Sequence, residues 1–201
     1  MIRLFVALDL PETISSRLAG LQQPLPRSRW VPPENMHITL RFIGEVSRSA
    51  ADDVADMLSR ISMPAFELTI ADIGHFGTRG RVRALWAGVG KLPKLMRLQG
   101  KVEMACQRAG LAPEGRKFHP HITLARCRDI REDQAQAVLG LYDGFTGGTV
   151  RADAFVLYSS RLGHAGPVYT PEARYPLAGS GQVLTPDEDM LAELAAEWGE
   201  D

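Results

Sequence analysis

A four-residue motif occurs twice in this chain of 201 residues. The sequence His-Ile-Thr-Leu occupies residues 37–40 and returns at residues 121–124, 84 positions later. Each copy lies in an apolar run that favours a β-strand, and each is followed by a polar turn and a segment with helical periodicity. A repeated strand–turn–helix order predicts two similar halves related by a pseudo-twofold axis.

The apolar pattern predicts alternating strands and helices along the chain. The expected strands are residues 2–8, 36–43, 66–73, 81–89, 118–125 and 150–159. The expected helices are residues 11–23, 49–60, 93–109, 131–142 and 187–198. Ser49 is a candidate helix cap, and the glycine-rich segment 74–80 predicts a loop or hairpin between two strands.

Composition excludes several classes of protein. The chain is 45% hydrophobic and 23% charged, as in ordinary globular proteins, which excludes disordered, fibrous and coiled-coil chains. No apolar run reaches the ~20 residues needed to span a bilayer, and the first residues resemble a strand rather than a signal peptide. Cys106 and Cys127 are too few for a disulfide framework or a four-cysteine zinc site, so we expect a cytoplasmic protein without a membrane partner.

The charges are distributed unevenly. Residues 179–201 contain seven acidic side chains and no lysine or arginine, whereas residues 1–178 carry 23 basic against 17 acidic ones. We therefore expect one catalytic domain over 1–178 and an acidic tail over 179–201. Nineteen of the basic residues are arginines, which are well shaped to bind phosphate, although most arginines in any protein are solvated surface.

The repeated motif places two residue types on one face of each strand. Strand residues alternate between faces, so His37 and Thr39 project to one side, and His121 and Thr123 do the same in the second copy. The isoleucines and leucines of the motif then face the core. If the pseudo-twofold axis brings the two strands together, their polar faces line a shared cleft that holds two imidazoles and two hydroxyls.

Paired imidazoles of this kind suit displacement at phosphorus. Near neutral pH one histidine can accept a proton from the attacking oxygen while the other donates one to the departing oxygen. The threonine hydroxyls can donate hydrogen bonds to the non-bridging oxygens, where charge builds up in the transition state. This chemistry needs no metal ion or cofactor.

The flanking residues resemble a known family. They are L-F-V-A-L-D-L-P at 4–11, W-V-P-P-E-N-M-H-I-T-L-R-F-I-G-E at 30–45, P-H-I-T-L-A-R at 120–126, L-Y-S-S-R-L at 157–162 and G-P-V-Y at 166–169. Together with the paired H-x-T-x motifs, they resemble the RNA 2′,3′-cyclic phosphodiesterase branch of the 2H phosphoesterases, also called 2′-5′ RNA ligase-like proteins. The resemblance covers residues 1–178 and leaves the acidic tail without an assigned function.

The resemblance implies a fold and an activity. The expected fold is α+β and bilobal, with two pseudo-twofold-related lobes of mainly antiparallel sheet and outer helices around a central cleft. The expected activity is metal-independent opening of an RNA 2′,3′-cyclic phosphate to a 2′-phosphomonoester, with reversible 2′-5′ RNA ligation. The substrates would be RNA or small nucleotides with a 2′,3′-cyclic phosphate, and we expect a monomer.

Six residues follow from matching the motifs position by position. His37 and His121 form the expected catalytic pair, with His121 activating water and His37 protonating the departing 3′ oxygen. The expected substrate-binding residues are Thr39, Thr123, Arg126 and Phe42. Arg126 would contact phosphate, with a surface ion pair as its alternative. Phe42 would stack on a base, with a core position as its alternative.

Two other functions remain open from the sequence. One is an RNA-binding module that keeps the cleft without catalysis. The other is a metal-dependent hydrolase that uses His119 and His121, since an H-x-H pair on a strand can supply two imidazole ligands. No third ligand is evident in the sequence for such a site.

Overall fold

The computed structural model describes residues 1–90, 92–163 and 166–177. Their strands are β1 (Ile2–Asp9), β2 (Ser28–Trp30), β3 (His37–Val46), β4 (Phe66–Thr78), β5 (Arg81–Val89), β6 (His121–Arg131), β7 (Thr146–Ala152), β8 (Ala154–Gly163) and β9 (Gly166–Pro176). Their helices are α1 (Glu12–Ala19), α2 (Arg48–Ser59), α3 (Pro93–Arg108) and α4 (Glu132–Leu139). The helix expected over 187–198 and the rest of the acidic tail lie outside the described residues.

The strands form one antiparallel sheet with two halves. Its order is β7-β4-β5-β6-β3-β1-β8-β9, and β2 pairs with β6 beside the junction. The two half-sheets meet between β3 and β6, where Ile38 lies directly opposite Ile122. The pseudo-twofold axis predicted from the repeat therefore passes through the repeated motif itself. The predicted α+β class with mainly antiparallel lobes is confirmed.

Each half-sheet contains a strand that follows the motif copy of the other half-sheet. Strand β4 follows the first copy along the chain but lies in the half-sheet of β6, where it pairs with β5. In return, β8 of the second repeat pairs with β1. This exchange interlocks the two lobes, because neither half-sheet is built from one repeat alone.

The helices cover one face of the sheet and leave the other face for the cleft. Buried side chains of α1, α2 and α3 pack with Ile38, Leu40, Ile122 and Leu124 of the repeated motifs in a single core cluster. Helix α2 begins two residues earlier than Ser49 predicts, because the cap is Ser47, whose side chain accepts a hydrogen bond of 3.1 Å from the Ala50 amide. Gly110 follows α3 with a positive φ of 88°, a conformation that glycine adopts readily after a helix.

The glycine-rich segment 74–80 forms the end of a hairpin, which is one of the two alternatives that the sequence predicts. Strand β4 continues to Thr78, and the turn that follows contains only Arg79 and Gly80, both with positive φ. A β-carbon on Gly74 would lie 2.3 Å from the Trp86 ring, so this glycine allows a large side chain on β5 to pack across β4. The glycines therefore mark close packing, which composition does not distinguish from a loop.

No helix within the described residues combines the length and apolar character that crossing a membrane requires.

Candidate active site

The junction of the two half-sheets brings the repeated motifs side by side. Ile38 pairs with Ile122, so the antiparallel register places His37 opposite Thr123 and Thr39 opposite His121. The four side chains share the face of the sheet that the helices leave uncovered. The two histidines are diagonal neighbours, with backbone positions about 7–8 Å apart. This spacing leaves room for a small group between the two ring tips.

The backbone fixes both imidazoles in the same tautomer. His37 Nδ1 lies 2.8 Å from the carbonyl oxygen of Asn35, and His121 Nδ1 lies 2.7 Å from the carbonyl oxygen of His119. A carbonyl oxygen only accepts hydrogen bonds, so Nδ1 carries the proton and donates it in each ring. In the neutral ring Nε2 is therefore the free proton acceptor, and in the charged ring it is a donor. Each partner carbonyl lies two residues before its histidine.

His37 is enclosed by aromatic rings and favours its neutral form. Its ring lies 4.9 Å from that of Phe5 and meets the Tyr169 ring edge-on at 5.4 Å. The pKa of His37 is lowered from 6.5 to about 4, mainly by burial, with a further contribution from the nearby charge of Arg126. The hydrogen bond to Asn35 and the carboxylate of Asp9 act in the opposite direction without cancelling this shift.

His121 has a different environment. Its ring meets the Phe76 ring edge-on at 4.8 Å and lies 6.3 Å from the ring of His119. Burial lowers the pKa of His121, and so does the charge of His119, while the hydrogen bond to the His119 carbonyl raises it. The pseudo-twofold symmetry of the backbone is thus not shared by the side chains around the two rings.

His119 is a neighbour of the candidate acid–base pair rather than part of a ligand cluster. Its ring packs edge-on against Phe76 at 5.4 Å and lies 5.5 Å from Trp86. In the part of the chain that the structure describes, no three His, Cys, Asp or Glu side chains are grouped closely enough to hold a metal ion. The described residues therefore offer no third ligand to His119 and His121.

A cavity of about 400 Å³ lies against His37 at the junction. Five of the six residues predicted from the sequence line it: His37, Thr39, Phe42, Thr123 and Arg126. His121 does not line this cavity but stands beside it, opposite Thr39 on the neighbouring strand. The cavity thus combines an imidazole, two hydroxyls and a guanidinium, a set of donors suited to a bound phosphate.

A second cavity of about 600 Å³ lies on the other side of His37. Its lining includes the carboxylates of Asp9, Glu12 and Glu34. Asp9 accepts hydrogen bonds from the hydroxyl of Tyr158 and from Arg174, the latter at 3.0 Å. Because carboxylates repel an anion, the charges favour a phosphate group in the first cavity rather than the second.

The structure also bears on the alternatives for two predicted residues. Phe42 is not in the core: 41% of its surface is exposed, and the Arg3 guanidinium lies 5.5 Å from its ring centre. Arg126 is exposed and forms no ion pair with a described carboxylate. Both side chains face the cavity, so each is available to a ligand.

Three more side chains line the cavity, and sequence reasoning missed two of them, Arg29 and Phe5. Arg29 lies directly opposite Arg126 in the pairing of β2 with β6, while Phe5 and Tyr169 pack against His37. Phe5 and Tyr169 come from β1 and β9, which pair with β3 and β8. Their place in the site follows from sheet order, and the only sequence signal was their position in the short flanking segments described above.

Comparison with known proteins gives matches over most of the chain. The LigT like phosphoesterase family matches residues 8–86 and again residues 91–169, in agreement with the internal repeat. An RNA 2′,3′-cyclic phosphodiesterase of Aeropyrum pernix is 35% identical over 173 residues, which cover 83% of this chain and 98% of that protein. The protein of the same name from Escherichia coli is 34% identical over 179 residues, 87% of this chain and 96% of the relative.

The fold is also similar to solved structures. The crystal structure of E. coli LigT complexed with 3′-AMP superposes with a TM-score of 0.72 at 30% sequence identity. The superposition covers 89% of this chain and 99% of LigT. Most of the chain thus shares the architecture of LigT.

Proposed function

The chain belongs to the LigT like phosphoesterase family, and from this membership and its cleft we propose that it is an RNA 2′,3′-cyclic phosphodiesterase. The observation that carries the proposal is the pair of histidines on adjacent strands, each with Nδ1–H bound to a carbonyl two residues earlier. Both free Nε2 positions then serve one phosphorus atom between them. This arrangement supplies both proton transfers of an in-line displacement.

Hydrolysis follows from these two proton transfers. A neutral imidazole takes a proton from water at Nε2 as the water oxygen attacks phosphorus. The bond between phosphorus and O3′ breaks, and the charged second imidazole gives its Nε2 proton to O3′. The product is a 2′-phosphomonoester with a free 3′ hydroxyl. Following the sequence, we assign proton acceptance to His121 and proton donation to His37.

Thr39, Thr123 and Arg126 act on the phosphate itself. The two hydroxyls lie on the same face as the histidines and donate hydrogen bonds to the non-bridging oxygens. Arg126 adds a positive charge at the same cavity. Donors that are already in place stabilise the extra charge of the transition state without reorganisation. Phe42, exposed at the edge of the cavity, offers a ring on which the terminal base stacks.

The same two proton transfers also support 2′-5′ ligation, in which a hydroxyl of RNA replaces water as the nucleophile. If the 5′ hydroxyl of a second RNA takes the place of water, its oxygen attacks phosphorus and a 2′-5′ phosphodiester forms while O3′ is protonated. The reverse reaction regenerates the cyclic phosphate. No group beyond the two imidazoles is needed in either direction, so we propose that neither reaction depends on a metal ion or cofactor.

The test is hydrolysis of adenosine 2′,3′-cyclic phosphate in excess EDTA, followed by chromatography of the 2′-monophosphate. We expect product with the full-length protein and a loss of at least about 10²-fold in kcat for His37→Ala and for His121→Ala. His75→Ala is the matched control, because His75 lies on β4, outside both cavities at His37. This control is expected to keep the wild-type rate.

Three outcomes would contradict the proposal in whole or in part. A protein that binds the nucleotide but forms no product would be an RNA-binding module without catalysis. Activity that disappears in EDTA and returns with a divalent cation would indicate a metal-dependent hydrolase at His119 and His121. If His37→Ala or His121→Ala kept the wild-type activity, the substituted histidine would not take part in catalysis.

We also propose that the enzyme acts as a monomer in the cytoplasm. Both of its cysteines, Cys106 and Cys127, are free and buried, which suits a reducing compartment. One chain supplies both histidines, both threonines and Arg126, so the proposed chemistry needs no residue from a second copy.

A further inference from the structure

Arginines continue along the sheet beyond the catalytic cavity. Arg29 on β2 and Arg126 on β6 are directly opposite each other, and both line the cavity that contains His37. The guanidinium of Arg29 packs closely against the β8–β9 hairpin, where a β-carbon on Gly166 would lie 2.7 Å from it. Gly166 has a positive φ of 136° and leaves the space that Arg29 occupies.

Arg128 extends this set along β6. It is two residues beyond Arg126, and Cys127 between them is buried with 8% of its surface exposed, so the two arginines share the outer face of the strand. The Arg128 amide donates a hydrogen bond of 2.9 Å to the Arg27 carbonyl, which shows that the pairing of β2 with β6 still holds there. We call Arg29, Arg126 and Arg128 the arginine stripe.

The charges of the arginine stripe are not neutralised by described carboxylates. Residues directly opposite each other on a sheet repel when their charges are alike, so Arg29 facing Arg126 is unfavourable on its own. None of the ion pairs among the described residues includes a member of the stripe. Glu34 lines the same cavity but forms no ion pair with Arg29. An anionic ligand would relieve this repulsion.

The geometry of the stripe fits a chain of phosphates better than a single one. Arg29 and Arg126 lie at the cavity where the reacting phosphate would bind, whereas Arg128 lies about 6.6 Å further along the strand. A nucleoside cyclic phosphate has one phosphate and leaves Arg128 without a partner. An RNA strand has a second phosphate one nucleotide away, and arginine binds phosphate through two parallel hydrogen bonds.

We propose that Arg128 binds the phosphodiester that joins the terminal nucleoside to the rest of the RNA, so that oligoribonucleotides are preferred over cyclic mononucleotides. This inference rests on the proposed function and specifies its substrate class. Arg128 lies away from the reacting atoms, so its contribution is to substrate affinity rather than to the chemical step. The preference for oligoribonucleotides therefore appears as a lower KM than that of the cyclic mononucleotide. The difference in KM becomes smaller as the salt concentration rises, because binding each phosphate releases counterions.

The test compares two substrates and three variants. The substrates are adenosine 2′,3′-cyclic phosphate and a short oligoribonucleotide that ends in the same group. For Arg128→Gln we expect KM for the oligonucleotide to rise about tenfold, with kcat and the mononucleotide kinetics unchanged. The dependence of log(kcat/KM) on log[salt] should become shallower by about 0.7, the contribution of one single-strand phosphate. Arg128→Lys, which keeps the charge, should restore most of this salt dependence.

The control is Arg97→Gln, which removes the same charge from an exposed position on α3, on the helix-covered side of the sheet. Equal effects of Arg128→Gln and Arg97→Gln on the oligonucleotide would overturn the inference, as would an equal loss with both substrates. Fluorescence anisotropy of a labelled oligonucleotide repeats the comparison without turnover. An absence of activity on both substrates would count against the proposed function, while the anisotropy result would still decide the role of Arg128.

Discussion

Acidification is expected to destabilise the fold through His37. In the unfolded chain this ring takes up a proton near pH 6.5, but in the folded protein burial holds its pKa at about 4. Between these values the unfolded state binds the extra proton, so the free energy of unfolding falls as pH falls, and the loss is complete below about pH 4. Each pH unit is worth about 1.4 kcal/mol, so His37 alone should account for about 3 kcal/mol.

This loss is large enough to measure against a total stability of about 5–15 kcal/mol. The assay is urea unfolding of the wild type and of His37→Gln at pH values from about 7 down to about 4. Glutamine keeps a polar side chain at the position but has no proton to gain. Carboxylates titrate in the same range in both proteins, so the difference between the two curves isolates His37.

We expect the wild type to lose about 3 kcal/mol more than His37→Gln over this range. His121→Gln is the matched control, and its curve should lie between the other two, because the pKa of His121 is lowered less strongly. Parallel curves for the wild type and His37→Gln would show that the folded protein protonates His37 as easily as the unfolded chain does. The account of a buried, neutral His37 would then be wrong.

Two further predictions concern catalysis. Burial lowers the pKa of both His37 and His121 below 6.5, so the maximum of the bell-shaped pH profile of kcat/KM should lie below pH 6.5. Above this maximum, activity should fall with rising pH as the pair of imidazoles loses its one remaining proton. A flat profile from about pH 5 to pH 8 would contradict two titrating imidazoles. Thr39→Val and Thr123→Val keep the branched shape but lose the hydroxyl, so each should lower kcat about 10²-fold in steady-state assays, and an unchanged kcat would assign these threonines to packing alone.

The repeated motif made the centre of the site predictable from the sequence. Strand alternation alone places His37 and Thr39 on one face and Ile38 on the other, and this depends only on local geometry. The register that brings His37 opposite Thr123 follows from one further assumption, a twofold axis between two identical tetrapeptides. The structure satisfies that assumption at the pair of Ile38 and Ile122.

The surroundings of the site were less predictable, because they depend on contacts between distant parts of the chain. Arg29 reaches the cavity through the pairing of β2 with β6, which are about 95 residues apart, a separation that local patterns do not encode. The exchange of β4 and β8 between the repeats is equally non-local. For segment 74–80 the sequence left a loop and a hairpin open, and the structure shows the hairpin, in which Gly74 makes room for Trp86.

The difference between the two histidine environments has a consequence for proton transfer. In the free enzyme the proton shared by the pair resides first on His121, since the pKa of His37 is the lower. The assignment of His37 as the acid therefore requires substrate to move that proton. Burial is the largest cause of the lowered pKa of His37, and Arg126 adds a smaller lowering that Asp9 opposes. A phosphate that pairs with Arg126 offsets its positive charge and places a negative charge beside the ring, so substrate raises the pKa of His37 toward the charged state that the proposed acid requires.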